Sequence, residues 1–136
     1  TAAALIGVLV ARSRAPYDAD TLAIAVSQMR SYASEGTMLA RETASDQLAP
    51  GFAREHARQL AGHVADTASK LRGRAAEPVL DSRRARACVL AEAVLGQVRA
   101  LEASVVGPAR GATQAAPLDA LARQLDALHH DLKPGE

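Results

Sequence analysis

Residues 117–132 read Pro117-Leu-Asp-Ala-Leu-Ala-Arg-Gln-Leu-Asp-Ala-Leu-His-His-Asp-Leu132. Leucines stand at 118, 121, 125, 128 and 132, and steps of 3, 4, 3 and 4 gather them on one stripe of an α-helix. That spacing is the seam of a helix bundle, and it demands partners of the same kind. Pro117 suits the first turn, where its missing N–H costs nothing.

Three upstream segments supply those partners. The first begins after Pro16-Tyr17-Asp18, with Asp18 or Asp20 as N-cap, and runs to about Gln47. Its apolar stripe is Leu22, Val26, Met29, Ala33, Gly36, Ala40 and Thr43. The second runs from Gly51 to Arg72 behind Pro50, with Phe52, Leu60, Val64 and Leu71 as apolar residues and Gly73 as C-terminal cap. Ala53, Ala57, Ala61 and Ala65 form an i, i+4 ladder on it, small enough for a neighbouring backbone to come close. The third begins between Pro78 and Ser82 and reaches Val106, where Gly107-Pro108 stops it. It buries Leu80, Ala87, Ala91, Val94, Val98, Leu101 and Val105. Short connections between long amphipathic helices force antiparallel neighbours, so the expected fold is an all-α, up-down-up-down four-helix bundle over residues 16–133. Residues 134–136 form a frayed tail. No internal repeat relates the two hairpins.

Composition agrees. One domain fits in 136 residues, alanine makes up about a quarter of them, and aromatics are only 2%. A core of Ala, Leu and Val leaves no large aromatic-lined pocket for a flat cofactor, so no cofactor and no small-molecule substrate are expected. A net charge of +1 argues against nucleic acid as partner. Cys88 has no cysteine to pair with, and it falls on the buried side of the third helix as a small core residue.

Ahead of the bundle, Ala2 to Ala11 carry no charge and no strongly polar side chain, and Arg12-Ser13-Arg14 closes the run. Leu5, Ile6, Leu9 and Val10 followed by two cations look like the end of a membrane-inserted helix. The run is shorter than the roughly 20 residues that span a bilayer. Because the chain opens on Thr1 rather than methionine, residues 1–15 are read as the end of an anchor that continues upstream. Arg12 and Arg14 favour a cytoplasmic bundle, although charges further upstream would decide the side.

A second cationic group lies at Arg72, Arg74, Arg83, Arg84 and Arg86, around the connection between the second and third helices. In an up-down-up-down bundle that connection shares an end with the start of the first helix, and with Arg12, Arg14 and Lys133. Glu77, Asp81, Asp18, Asp20 and Asp131 dilute this end without outnumbering its cations. Basic residues beside an anionic membrane add about 1 kcal/mol each.

Four further residues have metal-ligand chemistry: Glu35 and Glu42 on the first helix, and His56 and His63 on the second. Each pair is seven residues apart, about 10 Å along the axis, too far to share one ion. Folding the hairpin near residue 49 sets Glu42 level with His56 and Glu35 level with His63. On this reading both histidines lie on the apolar stripe, each donating to a glutamate at its margin. A metal would need a third ligand, Glu92, Glu102 or His129, and the Glu-x-x-His pattern of di-iron bundles is missing. Glu102 and Arg84 project from the third helix's apolar stripe near its ends, where side chains reach out to water. His129 and His130 read as a solvated pair. With no catalytic constellation, the leading expectation is a non-enzymatic, membrane-tethered accessory or scaffold subunit, its partners membrane lipid and membrane protein subunits. The alternative is a small metal- or ligand-binding bundle built on Glu35, Glu42, His56 and His63.

Overall fold

The computed structural model describes residues 15–106 and 111–134, and its described part is all-α. Four helices pack together: α1 (Ala19–Ala44), α2 (Pro50–Gly73), α3 (Asp81–Ser104) and α4 (Ala115–Leu132), with a 3₁₀ turn at Pro78–Leu80 leading into α3. Leu5, Ile6, Leu9, Val10, Arg12 and Arg14, and the expected stop at Gly107-Pro108, lie outside the described residues.

Each helix end has a local cause. Asp18 caps α1 in a capping box, its carboxylate accepting from the Thr21 amide at 2.8 Å while the Thr21 hydroxyl accepts from the Asp18 amide at 3.1 Å. Those Thr21 bonds to the charged form hold the Asp18 carboxyl below the ordinary aspartate range, with Arg74 adding a smaller pull. A depressed folded-state value means the stabilisation is complete above the usual aspartate range and is lost as pH falls through the lowered value. Urea midpoints measured against pH should therefore fall in acid, and Asp18→Asn, which keeps the capping oxygen, should flatten that fall.

α1 ends at Ala44, one turn before the expected Gln47. Asp46 takes a positive φ of 60°, and the amides of Asp46 and Gln47 bond the carbonyls of Thr43 (3.2 Å) and Glu42 (2.9 Å). This is a Schellman motif with aspartate in the left-handed position. Pro50 opens α2 as expected. Gly73 does not act as the expected cap: it is the last helical residue of α2, and Arg74 follows in extended conformation. The carbonyl of Leu71 instead accepts from Arg84 Nη1 at 2.9 Å, a cation brought to the negative end of the helix.

Antiparallel register is read from cross-helix pairs. Lys133 meets Asp20 (3.5 Å) and Arg30 meets Asp126 between α1 and α4. Glu35 meets His56, and Tyr32 meets His63, between α1 and α2. α1 packs most extensively on α4 and α2 on α3, with slimmer contacts closing the ring between α1 and α2 and between α3 and α4. The core runs the length of the bundle through Leu22, Val26, Met29, Leu60, Val64, Val94, Val98, Leu118 and Leu125, all essentially without solvent contact. A smaller cluster of Leu39, Ala40, Ala57 and Leu101 closes the end opposite the start of α1. The whole expected stripe of α1 is buried.

α2 buries three of its four expected apolar residues, Leu60, Val64 and Leu71, and departs from expectation at Phe52. The ladder Ala53, Ala57 and Ala61 lies inside with Leu60, Val64, Ala68 and Leu71, and Phe52 stands 60% exposed. Small side chains let the neighbouring backbones approach, and Phe52, in the first turn of α2, stays outside. On α4, Ala122 takes the inner place and Leu121 packs at the margin.

Candidate functional site

At the end where α1 begins, the strand-like residues ahead of it dock on the α2–α3 connection. The Tyr17 amide donates to Ala75 O at 2.8 Å, and the Glu77 amide donates to Tyr17 O at 3.0 Å. Tyr17 is buried, and the Arg74 guanidinium lies over its ring 4.3 Å from the centroid while donating to Ala15 O. The helix-counting argument thus holds for the described residues: the start of α1, the α2–α3 arginines and Lys133 share one end.

Most of these arginines are already engaged. Arg72 pairs with Glu92, and Arg86 Nη2 donates to Gln124 Oε1 at 2.7 Å. Arg84 is half-buried, one nitrogen on the Leu71 carbonyl and its Nε enclosed without a partner. It therefore serves as a helix cap rather than as a side chain reaching for water. The cationic end is in part a structural lattice that ties α1, α2, α3 and α4 together. Tyr17, which joins the residues ahead of α1 to Arg74, Ala75 and Glu77, carries one sequence signal, its position just ahead of a capping aspartate.

Along the α1–α2 flank the histidines find different partners from those expected. His56 Nε2 lies 2.8 Å from Glu35 Oε1, not from Glu42, and Phe52 meets the His56 ring edge-on at 6.0 Å. His63 stacks on Tyr32 with 6.0 Å between centroids, not on Glu35. The register differs because α1 stops at Ala44 and the turn consumes residues 45–49, so the hairpin pivots earlier than residue 49. Neither histidine sits on the buried stripe: His63 is exposed, and the side chains of His56 and Glu35 are 36% and 47% exposed. A pair this wet contributes roughly 0–1 kcal/mol. Among the described residues no three His, Cys, Asp or Glu side chains converge to hold a metal ion. Glu92 is taken up by Arg72, and Glu102 and Cys88 are half-buried on α3.

The surface also carries open grooves. One of ≈ 550 Å³ runs between α1 and α4, lined by Ala23, Ile24, Ser27, Ser31, His129 and Lys133 among others. A smaller one of ≈ 250 Å³ lies between α1 and α2 beside Tyr17, Ile24 and Arg74. Among the described residues no helix is long and apolar enough to cross a membrane. Comparison with protein-family models, with curated proteins and with solved structures finds no match.

Proposed function

We propose that this chain is a non-enzymatic helical bundle tethered to a membrane through its N-terminal apolar segment, acting as an accessory or scaffold subunit that docks on membrane protein partners. The observation that carries the proposal is the clamp at Tyr17. It holds Tyr17 on the α2–α3 connection, at the end of the bundle that bears Arg72, Arg74, Arg83, Arg84 and Arg86, and Arg12 and Arg14 precede Tyr17 by only a few residues in the sequence. An apolar segment and a cationic surface at one end are the two signals that together give stable peripheral anchoring, since one alone binds weakly and reversibly.

Vesicle flotation tests this. The full chain should float with phosphatidylcholine vesicles and more completely with phosphatidylserine-containing ones. Residues 15–136 alone should float only with the anionic vesicles and be released by salt. Arg83→Glu with Arg86→Glu should remove that residual binding with helix content unchanged; Arg84 is left intact because it caps α2. A full chain that stays in the aqueous layer with both vesicle types would overturn the tether.

A further inference from the structure

α3 is apolar on two opposite sides. Its inward side holds Leu90, Ala91, Val94, Val98 and Leu101 in the core. On the outward side Ala85, Val89, Ala93, Gly96, Ala100 and Ala103 follow one another in steps of three and four, and all six are exposed. Val89 is 59% exposed, and Val79 and Val106 at either end of the helix are 75% and 63% exposed. The outward face of α2 instead carries Arg54, Arg58 and Asp66, and that of α1 mixes the exposed Ile24 and Met38 with polar Gln28, Ser31 and Ser34. An amphipathic helix with one buried face has no cause to keep charge off the opposite one.

The edge of this face identifies what covers it. Glu92 and Arg99 stand on the same edge, seven residues apart. Arg99 has no ion-pair partner among the described residues, and Glu92 engages Arg72 through one carboxylate oxygen, Oε1. A two-fold axis perpendicular to the helix, lying beside it and level with the gap between Leu95 and Gly96, turns that edge onto itself, setting Glu92 of each copy against Arg99 of the other. The same register places Val89 within one residue of the other copy's Ala103, and Val106 against its Ala85, large residues against small. Gly96 then falls beside the axis, where the backbones cross most closely. A β-carbon added there would meet nothing within 4 Å in the single chain, although glycine inside a helix costs about 1 kcal/mol relative to alanine. Gly62 on α2 is open in the same way but sits among Arg58, Gln59 and Asp66.

We propose that a second copy of this chain covers the outward face of α3, the two α3 helices packing antiparallel about Gly96 with reciprocal Glu92–Arg99 pairs. The interface is isologous, as two-fold dimers require. It lies along the side of the bundle and does not depend on the tether.

Sedimentation equilibrium of the full chain should give a dimer, and Ala93→Glu should give a monomer of unchanged helix content. Arg99→Glu, which sets like charges across the axis, should weaken association about tenfold or more. Register is read by cross-linking in a Cys88→Ala background. Gly96→Cys should form a disulfide with its own counterpart under mild oxidation, whereas Ala85→Cys should not, since its counterpart lies at the far end of the pair. Ala85→Cys combined with Val106→Cys should link again. A monomeric full chain would overturn the proposal. So would a dimer that survives Ala93→Glu, or one in which Ala85→Cys links to itself and Gly96→Cys does not.

Discussion

Leu118→Ala will cost the bundle about 2–5 kcal/mol, the loss expected when a fully buried leucine leaves a space its neighbours cannot close. Leu118 has no solvent contact and projects from the first turn of α4 into the middle of the bundle, between α1 and α3. A β-carbon on Gly36 would lie 3.2 Å from Leu118 Cδ1 and 3.5 Å from Val98 Cγ2, so α1 comes close at this point because residue 36 has no side chain. That contact makes the loss partly reversible. Gly36→Ala alone sets the helix-propensity gain of about 1 kcal/mol against crowding of the leucine, and little net change is expected. In the Leu118→Ala background the added methyl enters the vacated space, and the double variant should be more stable than Leu118→Ala alone. Urea denaturation of the four proteins measures this coupling. Additive effects would mean that Gly36 and Leu118 do not share a packing site.

Gly111→Ala will also be costly, about 2 kcal/mol or more, for two independent reasons. Gly111 has φ of +79°, a region in which a β-carbon crowds the backbone. The added carbon would also lie 2.9 Å from Leu101 Cδ1 and 3.0 Å from the Ala40 carbonyl oxygen, inside the smaller core cluster. Replacement by a D-alanine, which accepts positive φ, would relieve the first strain. The shift in denaturation midpoint between Gly111→Ala and Gly111→Asn, a residue that tolerates positive φ, separates backbone strain from the clash that both variants share. The glycine also starts the turn into α4, its carbonyl accepting from the Gln114 amide at 3.1 Å, so the loss should appear in unfolding of α4 against α1.

The four helices and their starts were legible in the chain because their causes are local. An aspartate cap at Asp18 or Asp20, which the structure resolves as Asp18, Pro50 at the first turn, and apolar residues every three or four positions act through neighbours on the same helix, whatever lies opposite. The α1 stripe from Leu22 to Thr43 was complete for the same reason. So was the sharing of one end by Arg72, Arg74 and the start of α1, which follows from helix order alone.

The tertiary structure decided what depends on distance between helices. Periodicity found Leu60, Val64 and Leu71 on α2, and close packing added the alanines beside them while leaving Phe52, His56 and His63 on the flank. The turn at Ser45 to Ala49 set the hairpin register, and so paired His56 with Glu35 and His63 with Tyr32. Arginines that share a charge in sequence were separated into different tasks by what each could reach: the Tyr17 ring for Arg74, the Leu71 carbonyl for Arg84, Glu92 for Arg72. A sequence pattern carries the angle at which a side chain leaves its own helix. Which group it meets is set by the separation and stagger of two helices, and these exist only once the bundle has packed.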